Sequence, residues 1–141
     1  MIVIDTSVWL DLFLEDSDRK KIAEEFMKSI EVTIYEPEVF KIELAGTLSR
    51  RFGKDDVLSF IDDVISKIRL IRNPNELAFQ IALDTGCRAI DSYFIATAKL
   101  TDSILITNDK VMARNAKKAK VESYYLIEEF DKAVKRLKEI N

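Results

Sequence analysis

Two stretches decide the fold: Met1-Ile2-Val3-Ile4-Asp5-Thr6-Ser7 at the start, and Ser103-Ile104-Leu105-Ile106-Thr107-Asn108-Asp109 much later in the chain. Each is a short, unbroken apolar run that ends on hydroxyl and acidic residues. A strand in a sheet covered on both faces buries every side chain, so it reads as a continuous run instead of an alternating one. Both runs are therefore predicted as buried central strands, and each is followed by residues at helical spacing.

Working outward, Val8 and Leu12 take up helical spacing after the first run, and residues 18–29 read as an amphipathic helix with Ile22, Ala23, Phe26 and Met27 on one side. Val32-Thr33-Ile34-Tyr35 is a β-branched strand. Pro37 suits a first helical turn, which predicts a helix from Glu36 through Phe40 and Leu44 to Arg51. A helix over 55–68, a short strand at Leu70-Ile71 and a helix from Asn75 to Leu83, halted by Gly86, come next. Ile90 to Leu100 is helical, another helix starts near Asn108, a weaker strand lies near Val121 to Tyr124, and Leu126 to Ile140 closes as a helix.

Strands alternating with helices imply an α/β fold, a three-layer α/β/α sandwich with a central parallel sheet. The expectation is one domain over 1–141, with the Ile2 to Ile4 and Ile104 to Thr107 strands adjacent and parallel at its centre. In such sheets ligands gather beyond the carboxyl ends of the strands.

The chain has 141 residues, 48% of them hydrophobic, enough to build a core without disulfide or metal staples. The lone Cys87 excludes an internal disulfide, and the absence of His removes imidazole both as a metal ligand and as a base. Chemistry must run on carboxylates, hydroxyls, Lys or Arg. The opening apolar run turns acidic too soon for a signal peptide, and no stretch approaches the roughly 20 apolar residues of a membrane span, so a cytoplasmic protein with no membrane contact is expected. A net charge of −3 argues against broad coating of nucleic acid but leaves room for an enzyme that grips it locally.

Four acids stand out. Asp5 and Asp109 follow the two buried strands and should emerge together at the carboxyl edge, although an Asp between strand and helix is also an ordinary helix cap, a task Asn108, Thr6 or Ser7 could share. Glu43 lies at the margin of the stripe formed by Phe40, Leu44 and Leu48, where its alternative is a solvated edge residue. Asp91 stands four residues before Ile95 and seven before Ala98, at the head of an apolar helix face, where it could equally stabilise the helix N-terminus. Gathered in one place, these carboxylates would repel one another unless a cation neutralised them, and hard oxygen ligands favour Mg²⁺ or Mn²⁺. Phosphate ester cleavage is the matching chemistry.

The order of motifs resembles the PIN-domain ribonucleases, most closely the small VapC-like toxins. The resemblance spans essentially the whole chain: a hydrophobic strand into Asp5-Thr6-Ser7, a helical Glu43, Asp91 heading an Ala-containing helix, and Thr107-Asn108-Asp109 after a second hydrophobic strand. It implies that Asp5, Glu43, Asp91 and Asp109 form the family's acidic quartet, with the Thr107 hydroxyl nearby. It also implies Mg²⁺-dependent RNA cleavage, a cognate antitoxin and a homodimer. Thr85-Gly86-Cys87-Arg88-Ala89-Ile90 departs from the family in carrying Cys87, read as a buried small hydrophobe, and Arg88.

Trp9, Leu10, Phe13 and Leu14 exceed what one helix face needs, so some are candidates for contact with a second subunit or a partner segment, the alternative being complete burial in the core. Arg50, Arg51 and Lys54, and Lys117, Lys118 and Lys120, are basic patches that could guide RNA or simply solvate helix ends. Two rivals remain. A phosphoaccepting receiver domain also places acids at this edge, but it expects an acid pair after the first strand, and Asp5 has no adjacent acid. A non-catalytic scaffold would keep the acids only as caps.

Overall fold

The structure, a computed structural model, describes residues 1–13 and 17–141. The strands are β1 (Ile2–Ile4), β2 (Ile34–Pro37), β3 (Arg69–Ile71), β4 (Ile104–Thr107) and β5 (Ser123–Tyr125). Between and after them run α1 (Thr6–Asp11), α2 (Asp18–Lys28), α3 (Val39–Leu48), α4 (Lys54–Ile65), α5 (Asn75–Thr85), α6 (Ala89–Leu100), α7 (Lys110–Lys118) and α8 (Leu126–Ile140).

The strands form one sheet in the order β3-β2-β1-β4-β5, and every pair is parallel. Residues 2, 3 and 4 of β1 face alternate sides of the sheet, yet all three are fully buried. Layers of helix therefore cover both faces, as the unbroken apolar run implied. The α6 helix packs across β1, β2 and β4, while α7 and α8 pack against β4 and β5.

This strand order fixes where a site can lie. From β1 the chain winds outward to β2 and β3, then crosses back to lay β4 on the other side of β1 and winds outward again to β5. At such a reversal an open parallel sheet generally leaves a crevice beyond the carboxyl ends of the two central strands. The pairing of Ile2, Val3 and Ile4 with Ile104, Leu105 and Ile106 brings the residues just after both strands to that crevice together.

One expected boundary is corrected. The segment read as a strand over Val32 to Tyr35 followed by a helix from Glu36 is a strand over Ile34–Pro37, with α3 starting at Val39. Pro37 is tolerated because the β1–β2 ladder has already ended at Val3 and Tyr35, and the bond toward β3 is donated by Glu38 N to Ile71 O. Glu36 thereby turns inward and is completely buried. Other boundaries differ from expectation by a few residues, as at frayed ends. The largest such difference is at the end of α3 and α4, each of which stops three residues early, at Leu48 and Ile65.

Gly86, at a φ of 69°, ends α5 in the left-handed conformation that glycine adopts without a Cβ penalty. Trp9 belongs to the core, its ring 5.8 Å from that of Phe40, and is not a surplus surface residue. Leu10 and Phe13 are half-buried against the same core, Phe13 edge-on to Phe60. Leu14 lies outside the described residues. Cys87 is half-buried against the core.

Candidate active site

At the crevice the first acid is Asp5, only 7% exposed. Its backbone N–H donates to Ile106 O at 2.9 Å, tying the end of β1 to β4. Its Oδ2 accepts from the Ser7 hydroxyl at 2.7 Å and from the Thr107 hydroxyl at 2.8 Å. The direction of these bonds is set by what lies behind each hydroxyl. Ser7 Oγ accepts from Asn108 N at 3.0 Å and Thr107 Oγ1 from Asp109 N at 3.0 Å, so each hydroxyl has its proton left for Asp5. Two corners of backbone are thus stitched to one carboxylate.

Burial pushes the Asp5 carboxyl up to about 6, against the pull of the two hydroxyls, and the charges of Glu43 and Asp91 push it further the same way. Glu43, on α3, is half-buried and also raised by burial, with Asp91 adding to the rise and Arg88 opposing it. The Thr6 hydroxyl is near enough to favour the ionised Glu43, yet forms no well-directed hydrogen bond. Asp91, in the first turn of α6, is 5% exposed and raised by burial against the opposing pull of Arg88. Asp109 is the more open, its side chain 32% exposed. Its Oδ1 caps α7 by accepting from Val111 N at 2.9 Å and Met112 N at 3.2 Å.

All four sequence-selected acids therefore share one electrostatic neighbourhood: Asp5 feels Glu43 and Asp91, Glu43 feels Asp91, and Asp91 feels Asp109. Among the described residues no three acid or thiol side chains close into a cation cage. The cation the structure does supply is Arg88, whose Nε and Nη2 donate to Asp91 at 3.4 Å and whose Nη2 also donates to Asp109 at 3.3 Å.

Sequence reasoning missed two members of this region. Arg88 stood out only as a departure from the family, although its position three before Asp91 on one helix turn is a pairing signal. Glu36 was assigned to a helix start. It lies beneath the site, where one oxygen accepts from Ile4 N at 2.7 Å and the other has no partner among the described residues. Burial drives its carboxyl well above the ordinary range, and Asp5 and Glu43 push the same way. Burial thus favours the protonated form of Glu36, whose oxygen takes the place of a backbone acceptor at the end of β1.

The PIN domain family model matches residues 2–118, and the chain belongs to the PIN-domain family. No curated protein matches the sequence. Among solved structures it is similar in fold to FitAcB from Neisseria gonorrhoeae, with a TM-score of 0.69 at 17% identity over 88% of this chain and 96% of that one. The toxin VapC20 of Mycobacterium tuberculosis, which cleaves the sarcin-ricin loop, matches with a TM-score of 0.68 at 16% identity over 81% of this chain and 94% of that one. VapBC2 from Rickettsia felis, solved with a DNA fragment from its promoter, gives 0.67 at 16% identity over 88% and 98%. Membership of the family sets the receiver-domain reading aside.

Proposed function

We propose that this PIN-domain chain is a divalent-metal-dependent endoribonuclease and the toxin of a toxin–antitoxin pair. The observation that carries the proposal is Asp5, a carboxylate buried at the reversal of strand order and raised to about 6, with Glu43 and Asp91 in its field and Asp109 acting in turn on Asp91. Raised carboxylates mark negative charge that the surroundings do not compensate, which is what a hard cation relieves. The donors are all oxygens in a chain without His, which fits Mg²⁺ or Mn²⁺ and not zinc.

In this reading Asp5, Asp91 and Asp109 would hold the ion and Glu43 would complete the ligand set or orient the attacking water. A bound Mg²⁺ or Mn²⁺ supplies Lewis acidity, activating water near neutral pH and offsetting charge on the phosphoryl group. The hydroxyls of Ser7 and Thr107 fix the Asp5 carboxylate so that it need not reorganise. Glu43, raised and half-buried, is suited to take a proton from the incoming water. In-line attack by water on an RNA phosphodiester breaks the bond to the 3′ oxygen and leaves a 5′-phosphate and a 3′-hydroxyl.

Likeness in fold to a solved toxin–antitoxin complex supports an antitoxin partner, and a homodimer is proposed from the resemblance to VapC-like toxins. Cytoplasmic residence accords with there being no described helix long and apolar enough to cross a membrane. A mixed RNA pool incubated with the purified chain, with and without Mg²⁺, tests the enzyme. Cleavage that stops with chelator and leaves 5′-phosphates is expected. Cleavage that survives chelator, or 2′,3′-cyclic phosphate ends, would sink it. A non-catalytic scaffold has one observation on its side, the cation that Arg88 already gives Asp91 and Asp109, and predicts no cleavage and no metal binding.

A further inference from the structure

We propose that Arg88 is a substrate-binding residue of this site: it holds the acids while no metal is bound, and on metal binding it turns to grip a phosphate of the RNA. The proposal rests on the metal-nuclease reading and extends it to one side chain.

The geometry of Arg88 is unlike that of a structural ion pair. Its side chain is 77% exposed, while its partner Asp91 is 7% exposed at the side chain. All three of its hydrogen bonds, to Asp91 and Asp109, fall between 3.3 and 3.4 Å. Firm charge-assisted bonds run to about 2.7–2.9 Å. The chain offers its own comparison in Arg136, which adds to longer bonds at 3.3 Å to Glu122 and 3.2 Å to Glu139 one short bond, from Nε to Glu122 at 2.7 Å, of a kind Arg88 lacks. Arg136 is settled, whereas Arg88 is stretched between two acids. Its Nη1 makes no bond among the described residues.

Position gives this looseness a use. Arg88 is the residue that opens α6, with extended backbone at φ −64° and ψ 153°, so the side chain leaves from a corner and not from a packed helix face. It is held by Asp91 and Asp109 and lies within the field of Asp5. A dication taken up by those acids would satisfy them more strongly and repel the guanidinium. The planar fork then faces solvent beside the ion, where the ligand it matches is a phosphodiester's pair of non-bridging oxygens. One side chain thereby links metal binding to substrate binding.

The two halves of this proposal predict opposite effects for one substitution. With the full chain, calorimetric titration of Mn²⁺ alone should show Arg88→Gln binding the ion about two- to fivefold more tightly than the parent, because a competing cation is gone. In saturating Mn²⁺, a 5′-phosphorylated ribonucleotide, which resembles the product and is not cut, should bind Arg88→Gln about tenfold more weakly. Arg88→Lys, which keeps charge but not the fork, should recover part of the nucleotide affinity. Unchanged or weaker Mn²⁺ binding by Arg88→Gln, or unchanged nucleotide binding, overturns the Arg88 proposal while the nuclease reading stands. A parent chain that binds no Mn²⁺ overturns both.

Discussion

Two corners of the molecule, β1 into α1 and β4 into α7, lie side by side and each carries an Asp at the helix entrance, yet the two are held differently. Asp109 takes two backbone N–H groups on Oδ1 and so acts as a true cap for α7. Asp5 stands at the corresponding place before α1 and caps nothing. Among the described residues its carboxylate accepts only from the Ser7 and Thr107 hydroxyls, and it is buried more deeply. Backbone donors at a helix start stabilise a carboxylate's charge directly. Two hydroxyls do less, and burial wins, which is why Asp5 rises to about 6. The same residue type in the same type of corner is thus a fold-building cap in one case and an under-compensated charge in the other.

The widest separation between the two corners should appear in the Asp5→Asn variant. Metal-dependent RNA cleavage should fall to background, since a buried proposed ligand at the end of the central strand loses its charge. The fold should survive, because Asn occupies the same space and Asp5 supports no cap. Gel assay of cleavage beside thermal melting checks both halves; cleavage at the parental rate would remove Asp5 from the proposed site.

Next in size is a pH effect on stability in the presence of chelator. The folded chain holds the Asp5 proton up to about 6, whereas an unfolded chain releases it near 3.8. Between those values the folded state binds the extra proton, so stability is full below 3.8 and is lost as pH rises through 6. The difference of about two units corresponds to a loss on the order of 3 kcal/mol. Glu43 and Asp91 are raised too and act in the same direction. Urea melts at pH 4 and pH 7 should show the loss, Asp5→Asn should remove its share, and Mg²⁺ should restore stability at pH 7. A parent chain more stable at pH 7 than at pH 4 without metal would contradict the burial-driven rise.

A smaller effect tests the stitch between the corners. Thr107→Val keeps the shape but removes both the donor to Asp5 and the acceptor for Asp109 N. It should cost about 2 kcal/mol through groups left without partners. It should also raise the Asp5 carboxyl further, moving the loss of stability described above to higher pH. An unchanged denaturation midpoint in Thr107→Val would mean that water replaces the hydroxyl freely.

The adjacency of these corners was legible in the sequence because central parallel strands betray themselves as unbroken apolar runs, and residues just after them must share an edge. Asp91 was legible from helical phase, since Ile95 and Ala98 define the buried face of α6. Glu36 was not. A Pro after a β-branched run fits a strand end or a first helical turn equally well, and only the register with β1 and β3 decides. Arg88 was half legible: its tie to Asp91 is local, but its tie to Asp109 depends on how α6 docks beside β4.

The smallest expected effect on stability separates the two jobs that Asp109 combines. Its Oδ1 caps α7, and its Oδ2 faces Arg88 and the proposed metal position. Ser ranks with Asp as a helix cap because its single oxygen can take the same N–H groups. Asp109→Ser should therefore leave stability nearly unchanged while cleavage falls sharply, because the capping acceptor remains and the carboxylate is gone. Asp109→Ala removes both and should lose about 1 kcal/mol besides. At the Asp5 corner no such split is available, since Asp5 has no cap to preserve, and Asp5→Ser should behave like the other substitutions there. Paired chemical denaturation and cleavage assays on Asp109→Ser and Asp109→Ala decide the matter. If Asp109→Ser is as unstable as Asp109→Ala, the cap does not explain how Asp109 is held; if it cleaves RNA like the parent, the second oxygen of Asp109 has no part in the reaction.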